Sequence, residues 1–132
     1  MWNKKPFSAK MRKKQIVLNR ELVQMSELTI KKMQKEVDDY IGQFKEGYFS
    51  PMTLVVRLSE ELGELAREVN HHYGEKPKKK EEEEGSIALE LADMMFVITC
   101  MANSLQIDLD DAHKRVMEKF STRDANRWTR KE

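Results

Sequence analysis

Two acidic pairs stand out in the 132-residue chain: Glu61 and Glu64, within Glu60-Glu61-Leu62-Gly63-Glu64, and Glu90 and Asp93, within Glu90-Leu91-Ala92-Asp93. Three residues turn an α-helix by about 300°, so the two carboxylates of each pair project to nearly the same side, one turn apart. Glu60, Glu61, Glu64 and Glu68 alone would read as a solvated helix face. Glu90 and Asp93 read differently because they sit among Leu89, Leu91, Met94, Met95, Phe96 and Ile98. Burying two ionised carboxylates in such a stretch without a counter-charge is costly, and the two also repel each other. If the helices that carry the pairs run antiparallel, four carboxylates converge on one point. A carboxylate-only donor set suits a hard cation, Mg²⁺ or Mn²⁺ first. Gly63 inside the cluster costs about 1 kcal/mol relative to alanine in a helix interior, which predicts close approach of another backbone or a ligand there.

The elements that must position these acids follow from periodicity. From Thr29 onward, Ile30, Met33, Val37, Tyr40, Ile41 and Phe44 recur at spacings of three and four, the stripe of an amphipathic helix that Gly47 would end. Ser50 and Pro51 supply an N-cap and a first-turn proline for a second helix through Val55, Leu58, Leu62, Leu65 and Val69, stopping near Tyr73 and Gly74. Residues 74–86 are a low-complexity Lys/Glu segment bounded by glycines, which predicts a flexible connection without core residues. The third helix, Ile87 to about Leu105, is apolar on nearly every side and must be central, with part of its surface covered by another subunit. Asp108 caps a fourth helix through Leu109, Ala112, Val116 and Phe120, and Ser121 to Trp128 either continue it or pack alongside. No β alternation is present. The expected class is all-α, with four helices in a bundle-like arrangement.

A 15.6 kDa chain is one domain rather than two. With 39% hydrophobic and 36% charged residues and a mean hydropathy of −0.73, it reads as a soluble protein with a charged surface. The longest apolar run, Met94 to Ala102, falls short of the ~18 to 20 residues of a membrane span. A secretory leader is not expected, because Lys4 and Lys5 are not followed by an apolar region. Cys100 is the single cysteine, so neither an internal disulfide nor a cysteine zinc site is available, and a cytoplasmic setting is expected. The net charge of +1 divides unevenly. Residues 1–24 hold seven Lys/Arg against Glu21, a balance of +6, which leaves −5 on residues 25–132. The segment 1–24 is expected to be a disordered basic extension, and 25–132 the helical domain. Met25 is an alternative start of translation. The extension lacks aromatic interleaving and any DNA-binding motif, so nucleic acid is not the expected partner.

The histidines offer a competing metal reading. Glu68-x-x-His71 has the form of a di-iron ligand pair, but that chemistry needs a second such pair, and Asp110-x-x-His113 is a poor substitute. His71 and His72 fit better as helix-terminal residues near the negative end of the second helix.

Taken together, Glu60-Glu61-x-x-Glu64 and, after 25 intervening residues, Glu90-x-x-Asp93 resemble the signature of the MazG-type nucleotide pyrophosphohydrolases, the all-α NTP pyrophosphatase superfamily. Tyr48-Phe49-Ser50-Pro51 and Arg57-Leu58-Ser59 before the first motif are similar to the family's phrases, and the likeness runs from about Thr29 to Trp128. The resemblance implies Mg²⁺-dependent hydrolysis of nucleoside triphosphates to monophosphate and pyrophosphate in a homo-oligomer, a dimer or dimer of dimers. It implies Glu61, Glu64, Glu90 and Asp93 as metal ligands, and Glu60 beside Glu61 as an acid that orients or deprotonates the attacking water. A triphosphate brings about four negative charges into an acidic site and so binds through bridging cations. Phosphates beyond the metal need basic donors. Arg115, Lys119, Arg123 and Arg127, four residues apart, form one basic stripe if the last helix continues. Lys119 and Arg123 match the family's basic positions and are the expected phosphate contacts, with Arg127 a further candidate; pairing of this stripe with Glu118 or Asp124 is the plainer reading. Trp128, Asn103 and Tyr48 are candidate base-pocket residues. The alternative from a different class is a noncatalytic helical adaptor.

Overall fold

The computed structural model describes residues 27–79 and 85–132. Four helices follow one another, α1 (Ile30–Ile41), α2 (Pro51–Tyr73), α3 (Ile87–Ser104) and α4 (Leu109–Arg123), with no strand among the described residues. The expected all-α class is thus the observed one. The basic extension 1–24, the alternative start at Met25 and the middle of the Lys/Glu segment lie outside the described residues.

Each helix begins on a side-chain cap. Thr29 accepts from the Lys32 amide at 3.2 Å, Ser50 from Thr53 at 3.3 Å, Ser86 from Leu89 at 3.4 Å and Asp108 from Asp111 at 3.2 Å. Such caps contribute about 1 kcal/mol apiece and fix where each helix starts. The end of α1 departs from the sequence expectation. It stops at Ile41 with Gly42 as its cap, and the chain turns through residues 43–46 to Gly47, whose φ of +62° lies where L side chains are strained. Phe44 continues the apolar rhythm but lies in this turn, edge-on to Tyr40 at 5.4 Å.

Helix α3 packs along α2 and against α1, and α1 also touches α4. The core is Val37, Leu54, Val97 and Cys100, with Ile41, Tyr48, Leu58 and Met101 packed around it. α3 is central as expected, but its four buried residues, Val97, Thr99, Cys100 and Ala102, all lie in its C-terminal half. Leu89, Leu91 and Met95 in the N-terminal half are exposed. Thr99 is completely buried and donates its hydroxyl to the Met95 carbonyl at 2.7 Å, so no polar atom is stranded. By length and composition alone the 18 residues of α3 reach what a membrane crossing needs, which the apolar run Met94 to Ala102, interrupted by Thr99, had put out of range. Its packing around Val97 and Cys100 is that of a core helix.

A polar pin fixes the far end of the helices. Gln34 of α1 donates to Asn103 Oδ1 at 2.9 Å and to the Ile107 carbonyl at 2.9 Å, and accepts from the Leu109 amide at 3.0 Å. Asn103 returns a bond to the Gln34 carbonyl at 2.8 Å. One glutamine therefore joins α1, the end of α3 and the first turn of α4. α4 itself buries no residue and ends at Arg123, so the basic stripe does not run on as one helix to Arg127. Trp128 is exposed and covers no core.

Candidate metal centre

The cap on Ser86 sets the register of α3 and places Glu90 in its first turn, where the partial positive charge of a helix N-terminus favours a carboxylate. Asp93 follows one turn later, and α2 lies alongside. Glu61, Glu90 and Asp93 each present a carboxylate oxygen, and these three atoms lie within 4.8 Å of one another. Glu61 and Glu90 are half-buried, whereas Asp93 is exposed. The Glu90 carboxyl is held above the usual glutamate range, first by desolvation and then by the charges of Asp93, Glu64, Glu61 and Glu68. The cluster is therefore short of positive charge. Three hard oxygen donors around a common point, one of them held back from ionising by desolvation and its acidic neighbours, fit a divalent metal.

The other expected residues fall around this trio rather than in it. Glu64 pairs with Arg67 at 2.8 Å and acts on Glu90 through its charge. Glu60 points outward and pairs with Arg57 at 2.7 Å. No Cβ contact would arise at Gly63, so the close approach expected there is not made within this chain. Lys119 and Arg123 are not brought to the acids. Lys119 Nζ and the Arg123 guanidinium lie 5.0 and 5.1 Å from the centroid of the Phe120 ring, and Arg123 binds Asp124 at 3.0 Å. Arg127 also reaches Asp124, at 3.4 Å. Asp124 is held below the usual aspartate range, chiefly by its bond from Arg123 with a further bond from Arg127. Within this chain the stripe makes the plainer pairing with Asp124.

A cavity of about 360 Å³ opens beside the trio, with Glu61 and Asp93 in its wall. Its apolar side is made by Phe49, Leu54, Phe96 and Val97, and Cys100 lies at its inner end. Burial pushes the Cys100 thiol up, which keeps it protonated and inert. Tyr48 also lines the cavity, but its hydroxyl is committed: it donates to Asp38 at 2.7 Å and accepts from Asn103 at 2.9 Å. Desolvation and the bond to Asp38 push the phenol up to about 12. Of the three base-pocket candidates, Tyr48 is in the wall, Asn103 is behind it as a support, and Trp128 does not line the cavity.

Sequence reasoning passed over three participants. Among the described residues Arg57 is the one base lining the cavity, and its spacing of four from Glu61 was the available signal. Phe49 and Phe96 line the cavity from the turn before α2 and from α3, a meeting no single-helix pattern reveals. Glu68 also differs from its expected role. It is buried, ion-paired with Lys78 at 3.4 Å, and pressed against Gly85, where any side chain would collide with its carboxylate. Part of the supposed free connection 74–86 thus serves as the lid over a buried acid. With Glu68 held by Lys78, and with Glu61, Glu90 and Asp93 as the ligand cluster found among the described residues, the di-iron reading has no centre. His71 and His72 occupy the last turn of α2, as expected.

The family model of the MazG nucleotide pyrophosphohydrolase domain matches residues 49–128. YpjD of Bacillus subtilis (strain 168) is 65% identical over 108 residues, which span 82% of this chain and 97% of that protein. A crystal structure of YPJD from Bacillus subtilis aligns with TM-score 0.65 at 63% identity, covering 72% of this chain and 97% of the other. The crystal structure of the Bacillus-conserved MazG protein, described as a nucleotide pyrophosphohydrolase, aligns with TM-score 0.65 at 62% identity, over 75% of this chain and 96% of the other.

Proposed function

The chain belongs to the MazG nucleotide pyrophosphohydrolase family, hydrolases of phosphoanhydride bonds, and from that premise we propose that it converts (d)NTPs to (d)NMP and pyrophosphate with the help of Mg²⁺ or Mn²⁺. Membership sets aside the noncatalytic adaptor. The observation that carries the finer reading is the convergence of Glu61, Glu90 and Asp93 at the wall of a cavity of about 360 Å³. These three would hold the cation, with Glu64 one turn along α2 completing the set or tuning its charge. The cation supplies charge neutralisation for a polyphosphate that an acidic site would otherwise repel, and stabilises charge on the phosphoryl oxygens.

The chain's own residues supply the rest. Glu61 in the cavity wall is suited to orient the attacking water and accept its proton, and Glu60, outward beside it and paired with Arg57, is proposed to assist on the family likeness. The aromatic wall of Phe49 and Phe96 offers faces on which a base can lie, and the Tyr48 hydroxyl, held by Asp38 and Asn103, keeps that wall fixed. Lys119 and Arg123 are proposed as phosphate contacts on the family likeness, exchanging their present hold on Phe120 and Asp124 for substrate.

A second copy of the chain is the proposed cover for the apolar faces left open on α2 and α3, where Met52, Val56, Leu62, Leu91, Met95 and Ile98 are exposed. The reaction is assigned to the cytoplasm, where nucleotide pools and a reduced Cys100 belong together. The test is product identification with a nucleotide panel in Mg²⁺ or Mn²⁺. Equimolar monophosphate and pyrophosphate are expected; diphosphate with orthophosphate, or no turnover of any nucleotide, would overturn the reading.

A further inference from the structure

Arg57 is the one base, among the described residues, in ion-pair contact with the acidic trio. Its guanidinium straddles two consecutive carboxylates: Nη1 donates to Glu60 Oε2 at 2.7 Å and Nη2 to Glu61 Oε1 at 3.0 Å. The two acids differ in surroundings. The Glu60 side chain is 55% exposed, whereas that of Glu61 is 14% exposed and faces Glu90 and Asp93. Arg57 itself is half exposed and lines the same cavity as Glu61 and Asp93. One arm of a rigid fork is thus anchored at the surface, and the other holds an oxygen of the carboxylate that faces Glu90 and Asp93.

A guanidinium contributes one positive charge to three carboxylates and cannot compete with a divalent ion for the inner acid once that ion has its other ligands. It does not lose its own charge on release, because arginine stays protonated at any accessible pH. Released from Glu61 but still held by Glu60, its Nη2 donor remains at the cavity wall, free to bind a phosphate oxygen, the geometry at which arginine exceeds lysine.

We propose that Arg57 is a handover residue: it neutralises Glu61 in the cation-free enzyme, is displaced from it when the metal binds, and then grips the polyphosphate of the nucleotide. The proposal rests on the reading of the cavity as the nucleotide site. It gives one side chain opposite effects on two ligands. Arg57 competes with the metal while no nucleotide is present, and supports the nucleotide once the metal is there. A merely structural i,i+4 ion pair on a helix surface would do neither.

The experiment uses the full chain and the variants Arg57→Gln and Arg57→Lys, with far-UV circular dichroism to verify helix content. Free Mn²⁺ is followed by electron paramagnetic resonance without nucleotide, and binding of a non-hydrolysable α,β-imido triphosphate by calorimetry at saturating Mn²⁺. Arg57→Gln is expected to bind Mn²⁺ roughly three- to tenfold more tightly and the analogue roughly tenfold more weakly, with Arg57→Lys between it and the wild type. Unchanged affinities, or shifts in the same direction for both ligands, would overturn the handover while leaving the site itself standing. Failure of the wild type to bind either Mn²⁺ or the analogue would overturn the site reading, and the proposal with it.

Discussion

Glu61 of α2 and Asp93 of α3 stand 32 residues apart in the chain, yet their carboxylate oxygens lie within 4.8 Å of each other across the helix pair, with a Glu90 oxygen inside the same limit of both. Nothing in the fold of an isolated bundle requires this. Like charges so placed raise the energy of the native state, and the helices bear that cost for the sake of what the acids bind.

Neutralising one of these acids should therefore stabilise the cation-free protein and remove its response to metal. Glu90→Gln is expected to melt higher than the wild type in EDTA. Mn²⁺ at about a hundred times its dissociation constant should stabilise the wild type by about 2.7 kcal/mol, a shift of several degrees, and leave Asp93→Asn unmoved. Differential scanning fluorimetry with EDTA and with MnCl₂ reads both effects.

The pH dependence has a definite sign at Glu90. Its folded pKa is raised above the unfolded value, so between the two the native state holds more protons than the unfolded one, and stability falls as pH rises through that window. The cation-free protein should thus gain stability on mild acidification from neutrality. Asp124 acts oppositely: its depressed folded pKa lends stability above the unfolded value that is lost only as pH falls further, through the folded one. Melting curves in EDTA from neutral to mildly acid pH should rise toward lower pH in the wild type and flatten in Glu90→Gln.

Much of this architecture was legible in the residues. Ser50-Pro51 and Asp108 marked two helix starts because a cap is a local matter, decided by a side chain and an amide three residues on. Glu90 and Asp93 were legible as a site because charge inside an apolar stretch demands a reason. The end of α1 was not, since Phe44 fits the helical stripe while Gly42 and the left-handed Gly47 decide the turn. The cavity wall was equally hidden. Phe49, Phe96 and Arg57 belong to different elements or to the flank of one, and only packing brings them together. Lys119 and Arg123 show the converse: a regular spacing drew one face, but α4 carries that face away from the cavity wall, onto Phe120 and Asp124.

Removing the polar pin should loosen the end of the bundle before it harms the acids. Gln34→Ala leaves Asn103 Oδ1, the Ile107 carbonyl and the Leu109 amide without their partner. A loss of about 1 to 3 kcal/mol is expected in urea unfolding, with faster hydrogen exchange at Leu109.

Charge on the open face of α3 should break the proposed assembly with a second copy without unfolding the chain. Leu91 and Ile98 are 49% and 42% exposed, so Leu91→Arg or Ile98→Glu meets solvent in a single chain. Sedimentation velocity is expected to show the variants shifted to the monomer with unchanged helical content.

Three carboxylates from two helices are proposed to hold the cation on which turnover depends. Pyrophosphate release from a turned-over nucleotide, followed while Mg²⁺ or Mn²⁺ is titrated into wild type, Glu61→Gln and Asp93→Asn, tests it most directly. Release in the wild type should start from nothing in EDTA, saturate with metal, and be abolished in both variants despite intact helices. Equal release by the wild type and Asp93→Asn, or turnover that survives EDTA, would contradict it.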